Sequence, residues 1–422
     1  MHEVKAWSPV RRVLFRFAFC YWLLYLLPVQ GSASPLDILP WCAQWIQGVL
    51  FWPLQHLAVL VGARVFHLQG IGAAWHPTGS GDTALQWVLV PCMVVLAMLC
   101  TAVWSVLDRR RVEYQTLAAW LRLLLAFTLG LAMLEYGMIK VVPAQFGPPG
   151  VVALTEAYGE STPMRLLWTF MGASTGYTLL AGLGEVMGGV LLFFRRTRTL
   201  GALLSGGILF NVFLLNMFYD VPVKLYSFHL LLMVLVVVWP DVWALFGLFV
   251  LRKQVQLRTD GVPAPERKAL RITAVVLRVL VFACAAWTLV WGTFGSRDTK
   301  PERSSLFGMW RVIDATSTTP QVPWARVYVS DGKALMVRRS DGTMQVLKIA
   351  ADTAGAYTVT NKVLGKGLLR HTFSAEAKPR RMVLDGPLGA GVVHVALERV
   401  SPDSFLLETQ GFHWVHEDSP NR

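Results

Sequence analysis

The apolar stretch from Ala118 to Pro240 carries side chains that hydrocarbon tolerates poorly: Arg122, Glu135, Lys140, Glu185, Asn211, Asn216, Asp220, Lys224 and His229. Lipid offers such groups no hydrogen-bond partner, so they face a bundle interior and mark a pathway or a binding site. Carboxylates, amines and an imidazole in one place can hold the polar end of a ligand or pass a proton. A carboxylate at this depth is ionised only when paired, for example with Lys140 or Lys224. Residue types alone name no reaction, and no catalytic residue is assigned.

Helical spacing gives each group a depth. At about 1.5 Å per residue, Glu135 lies one to two turns below Lys140. Asn216 and Asp220 are four apart and share a helix face. Lys224 and His229 open the next helix, Asn211 is intermediate, and Glu185 lies nearer mid-membrane. These groups converge on a pocket opening to one side of the membrane. Glu185 stands among Gly182, Gly184, Gly188 and Gly189; glycines let helices approach closely, so its carboxylate faces protein or ligand. The alternative is a set of interhelical contacts, with Lys140 and Lys224 snorkelling to the interface. A weaker candidate is the turn Thr78-Gly-Ser-Gly-Asp-Thr83, where Asp82 or Thr83 caps a helix whose free N–H groups, with Gly81, suit an anion. An ordinary helix cap is the simpler reading of that turn.

The elements that position these groups are membrane helices. Of the 422 residues 54% are hydrophobic, with 17 Trp, a composition for lipid rather than a soluble core. Seven windows are long enough for a bilayer: Val13–Gln30, Ala84–Leu107, Leu117–Met138, Met171–Phe194, Leu200–Phe218, Lys224–Pro240 and Ile272–Phe294. Between the first two, Trp41, Trp45, Val49 and Trp52 recur at helical spacing and read as a helix in the interface or tucked against the bundle.

The formal net charge of +13 is spread over loops at membrane edges, which argues against nucleic acid. Its distribution sets topology. Lys5, Arg11, Arg12, Arg109 to Arg111, Arg195, Arg196, Arg198 and the basic residues from Arg252 to Lys268 fall on one side, against Arg64 and Arg165 on the other. The positive-inside rule then expects a cytoplasmic N-terminus and an exported tail. Cys20, Cys42, Cys92, Cys100 and Cys284 show no CxxC or metal spacing and read as buried thiols.

After Phe294, short strand-like runs with Asp331-Gly332, Asp341-Gly342 and Asp385-Gly386 turns predict eight or nine strands, the last at Ser404–Thr409. They form a small antiparallel barrel or sandwich. The expected fold is therefore an α-helical polytopic membrane bundle with a C-terminal β-domain. Its parts are an N-terminal membrane region (1–115), a four-helix core (116–251), a cytoplasmic linker with the last helix (252–294) and a non-cytoplasmic β-domain (295–422).

The middle region resembles the DoxX-like membrane proteins through Leu121-Arg-Leu-Leu-Leu125, Gly137-Met-Ile-Lys140 and Gly184-Glu-Val-Met-Gly-Gly189, followed by the basic turn Arg195 to Arg198. The resemblance carries over Arg122, Gly137, Lys140, Glu185 and Gly189, and implies a four-helix core in a protein linked in some members to sulfur or quinone redox systems. This chain departs from the simple form in its added helices, its β-domain and its lack of a cysteine pair for thiol chemistry. Gly308-Met-Trp310 is similar to the glycine-x-tryptophan of lipocalin-type barrels, where the Trp closes the barrel floor.

Two functions are expected in competition. In the first, the core of a plasma-membrane protein (inner membrane in a bacterium) binds a small amphipathic molecule, a quinone or a lipid, with redox coupling as the resemblance implies. In the second, the helices anchor a β-domain that binds a non-cytoplasmic protein partner or an apolar ligand.

Overall fold

The computed structural model describes residues 6–27, 43–71, 80–142, 144–255, 267–273, 275–276, 283, 306, 308–317, 323–330, 334–353, 356–361, 365–374, 379–389, 391–401 and 405–409. The chain divides into two compact units, Met1–Phe146 with Thr175–Ser296, and Gly147–Ser174 with Arg297–Arg422.

The first unit is helical: α1 (Pro9–Leu26), α2 (Ala43–Arg64), α3 (Ala84–Leu107), α4 (Gln115–Val141), then α7 (Thr175–Phe193), α8 (Arg198–Phe218), α9 (Lys224–Val238) and α10 (Val242–Phe249). Between α4 and α7 the second unit contributes α5 (Val151–Thr155) and α6 (Pro163–Ala173). Among the described residues five helical stretches are long and apolar enough to cross a membrane: α3, α4, α7, α8 and the run Lys224–Phe249 that joins α9 to α10. Seven were expected from the sequence. The first expected window corresponds to α1, whose Arg11, Arg12 and Arg16 set it apart from those five, and the last lies mostly outside the described residues. The window Met171–Phe194 is divided at Ser174, where α6 ends and α7 begins. α2 is tucked against α3, with Phe51, Leu54 and Ala58 in the bundle core.

Glycine decides how α4 meets α7. A Cβ added at Gly137 would lie 2.8 Å from the Gly182 carbonyl oxygen, and one at Gly182 would lie 2.7 Å from the Gly137 oxygen. One turn pair along, a Cβ at Gly189 would fall 2.9 Å from the Gly130 oxygen. The two backbones therefore touch where any side chain would wedge them apart. α8 and α9 complete the core, α8 against α7 and α9 against both α4 and α8.

The second unit is a closed barrel of eight antiparallel strands in up-and-down order, β1 (Gly308–Ser317), β2 (Trp324–Ser330), β3 (Ala334–Arg339), β4 (Met344–Thr353), β5 (Ala356–Asn361), β6 (Gly365–Phe373), β7 (Arg381–Leu388) and β8 (Gly391–Arg399), with β1 pairing β8. Closure removes both sheet edges. Alternate residues fill the interior, among them Val327, Val337, Leu347, Val359 and Leu397. Trp310 is fully buried in that core and donates from its indole N–H to the Leu306 carbonyl at 2.9 Å. Residues Leu406–Thr409 form a helical turn, not the ninth strand expected there; the eighth strand already closes the barrel, so no edge is left for another to pair with.

The barrel also holds the chain that links α4 to α7. Tyr328 lies between inward-facing Val327 and Val329 and so points outward, yet it is only 2% exposed. Its hydroxyl meets that of Thr155 at 2.9 Å, and the outward-facing Arg338 reaches the Thr155 carbonyl at 3.1 Å and the Glu160 carboxylate at 2.7 Å. Gly147 and Gly172 meet at the two ends of this strap, with the Gly147 carbonyl where a Gly172 Cβ would stand. Residues 147–174 thus pack with the barrel.

Candidate functional site

Three of the expected polar residues come together at one cavity inside the helical unit. It has a volume of about 50 Å³ and is walled by Lys140, Tyr136 and Met133 of α4, Glu185 of α7, Asn216 and Val212 of α8, and Tyr226, Ser227 and Leu230 of α9. Lys140 Nζ donates to Glu185 Oε2 at 2.8 Å, with both side chains more than nine-tenths buried. The ammonium also donates to the Tyr136 carbonyl at 3.2 Å and lies 5.7 Å from the centre of that residue's ring. Opposite the pair, Asn216 donates from Nδ2 to Ser227 Oγ at 3.0 Å, and the serine hydroxyl in turn lies within reach of the Val223 and Lys224 carbonyls. The site thus offers a paired charge and amide and hydroxyl groups in an otherwise apolar wall.

The other expected residues have separate places. Glu135 and Asn211 lie on exposed sides of α4 and α8. Depth was given by rise per residue, but which way a side chain turns depends on neighbouring helices. Asp220 is exposed just past α8, in a left-handed backbone conformation at φ 52°, which Asp tolerates better than most residues. It pairs with Lys224 Nζ at 2.8 Å. His229 is buried against α1: its Nδ1 is 2.7 Å from the Leu225 carbonyl, its Nε2 is 2.7 Å from the Tyr21 hydroxyl, and the Tyr25 ring stacks on it at 4.2 Å and 5°. A carbonyl only accepts, so in the neutral ring Nδ1 holds the proton and Nε2 accepts from Tyr21.

At the Gly81 turn, Thr83 caps α3, its hydroxyl accepting from the Gln86 N–H, while Asp82 caps a different helix. The Asp82 carboxylate accepts from the Lys224 and Leu225 N–H groups at 2.8 and 3.0 Å, and Gly81 N donates to Pro222 O at 2.8 Å. The anion at the start of α9 is the chain's own.

Arg122 lies at the opposite end of α4 from Lys140, in a second buried pair. Its guanidinium donates to Asp241 Oδ2 at 2.6 Å and to the Val237 carbonyl at 2.8 Å, and Thr199 donates to the same carboxylate oxygen at 2.6 Å. Asp241, one residue past the stretch that ends at Pro240, is not among the expected site residues. It is fully buried, and the signal that could have marked it is a lone carboxylate between two apolar runs. Also unread was Arg16 of α1, buried and bonded to the Tyr114 hydroxyl, Ser105 and the Asp108 carbonyl, which ties α1 to the α3–α4 turn. Among the described residues no three His, Cys, Asp or Glu side chains gather as a metal site.

No family model matches the chain, and no solved structure matches it significantly. Over 140 residues, 33% of its length, the chain is 36% identical to a Bacillus subtilis (strain 168) protein named "Uncharacterized protein YwoB", and the aligned stretch spans 86% of that protein. Through that third of its length the chain belongs to the family of YwoB.

Proposed function

We propose that this is a DoxX-like integral membrane protein whose core binds the polar end of a small amphipathic molecule, a quinone or a lipid, beside Lys140 and Glu185. The observation that carries this reading is the buried Lys140–Glu185 pair in the wall of a cavity. A buried ion pair is weak evidence for stability, since apolar residues of similar volume often serve as well; placed against a cavity that also presents Asn216 and Ser227, it suits recognition. The ammonium can donate to a quinone carbonyl or a lipid oxygen, and Asn216 can do the same from the facing helix. The cavity volume is about a third of the 150 Å³ that holds benzene in a well-studied case, so it takes a head of a few atoms and leaves ring substituents or a tail to lipid. In this reading the first and last apolar windows also cross the membrane, the basic loops are cytoplasmic, the barrel lies on the other side, and redox chemistry enters with a bound quinone.

The test is native mass spectrometry with lipid and quinone analysis of the gently purified protein and of Glu185→Gln and Lys140→Ala. A quinone or lipid that copurifies with the wild type and is lost in both variants at normal protein levels supports the reading. Equal copurification in all three sinks it.

A second reading rests on the strap. The barrel grips residues 147–174 through Tyr328 and Arg338, and those residues join the two helices that carry Lys140 and Glu185. A partner bound by the barrel would act on the core through that connection.

A further inference from the structure

The turn between α7 and α8 gathers Arg195, Arg196 and Arg198, none of which pairs with a carboxylate among the described residues. Arg198, the first residue of α8, is 7% exposed. Its Nε donates to the Leu192 carbonyl at 3.4 Å, and among the described residues its two terminal nitrogens have no hydrogen-bond partner. Its charged neighbours include Arg122 and Arg195, both of its own sign. Asp241, the nearby carboxylate, already accepts from Arg122 and Thr199.

The helix end adds to the excess. α8 runs 21 residues, and the N-cap Thr197 does not cap it: its hydroxyl donates to the Leu191 carbonyl at 2.8 Å instead. The first N–H groups of α8 thus keep their partial positive charge, while the Arg198 guanidinium reaches back to a last-turn carbonyl of α7 through Nε alone. A side chain buried over most of its length, whose two terminal nitrogens reach the surface without a partner among the described residues, together with like-charged neighbours and an uncapped helix start, is stabilised by an anion that accepts several hydrogen bonds at once, as a phosphate does. The turn ends two apolar spans, Thr175–Phe193 and Arg198–Phe218, and so lies at the depth of lipid head groups, where basic pockets between helices bind anionic lipids.

We infer that the α7–α8 turn is a binding site for the phosphate of an anionic phospholipid, held by Arg198 with Arg195 at the start of α8. This site is separate from the Lys140–Glu185 cavity and stands or falls without it.

The test is native mass spectrometry of the full chain after delipidation and titration with phosphatidylglycerol, phosphatidylcholine or inorganic phosphate. Phosphatidylglycerol should be retained over phosphatidylcholine, and Arg198→Gln should weaken that retention about tenfold, the order expected for losing charge-assisted contacts to phosphate, while Arg198→Lys keeps most of it. If Arg198→Gln fails to fold, Arg195→Gln at an exposed side chain carries the test, with a weaker loss expected. Equal retention of both lipids, unchanged retention in the variant that folds, or binding of inorganic phosphate without lipid overturns the inference.

Discussion

Lys140 Nζ lies 2.8 Å from Glu185 Oε2, and what holds them there is the contact of Gly137 with Gly182, one turn away on each helix. Removing one member of the pair leaves the other charge buried and unpaired, which typically costs about 3–5 kcal/mol. Lys140→Met and Glu185→Leu should each lower the thermal midpoint in detergent, whereas the double variant Lys140→Met/Glu185→Leu should recover most of the loss. Additive losses in the double variant would show that the two side chains do not interact energetically.

The glycine contact can be tested apart from the charges. Gly182→Ala places a methyl against the Gly137 carbonyl and the Lys140 Cβ, and overpacking of this kind costs roughly 1–3 kcal/mol. The expected result is a destabilised core with changed ligand retention. Gly184→Ala, whose nearest neighbour would be the flexible tip of Ile208 at 3.5 Å, is the control and should be close to neutral.

Much of this core is legible in the sequence, and the part that is not has a common cause. A glycine-rich context marks Glu185 as facing protein, and a carboxylate there needs a basic partner, for which Lys140 and Lys224 both lie toward the same side; depth alone does not choose between them. Glu135 and Asn211 have suitable depths too, yet both turn outward, because rise per residue fixes height and not direction. Asp241 pairs with Arg122 across 119 residues, and Tyr328 meets Thr155 across 173. No local pattern encodes partners so far apart. The barrel, by contrast, is built from hairpins whose turns and alternation are local, and eight strands emerge where short runs are read.

His229 is held in one tautomer by its two neighbours. The Leu225 carbonyl requires a proton on Nδ1, which leaves Nε2 to accept from Tyr21. Nitrogen NMR of selectively labelled histidine should show a protonated Nδ1 and an unprotonated Nε2. Tyr21→Phe should leave that tautomer in place while costing roughly 1–3 kcal/mol for the buried acceptor it abandons; a switch to the Nε2-protonated form would contradict the assignment.

In the barrel, Asp341 accepts from the Thr343 hydroxyl at 2.7 Å and its N–H at 2.9 Å across the β3–β4 turn. These bonds favour the ionised form and hold its carboxyl below the usual 3.8. With the folded value depressed, the stabilisation is present above the unfolded value and is lost as pH falls through the folded one. A carboxyl-carbon NMR titration of the full chain should give a midpoint under 3.8, moving up in Thr343→Val. A midpoint unchanged by that substitution would remove the hydroxyl as its cause.

The strap on the barrel makes a prediction about motion. Arg338 and Glu160 are linked at 2.7 Å, but Glu160 is half exposed, and ion pairs in water contribute only about 0–1 kcal/mol. Tyr328 is the stronger anchor, because its buried ring and its bond to Thr155 are both lost if the strap leaves. Hydrogen exchange over residues 150–162 should therefore quicken modestly in Arg338→Gln and strongly in Tyr328→Ala, with the β-strands still protected in both. Slow exchange in Tyr328→Ala would mean that the strap is held by something other than the outer face of β2. Rapid exchange throughout the barrel would mean instead that Tyr328 supports the strands themselves, so the contrast between strap and strands decides which role the side chain has.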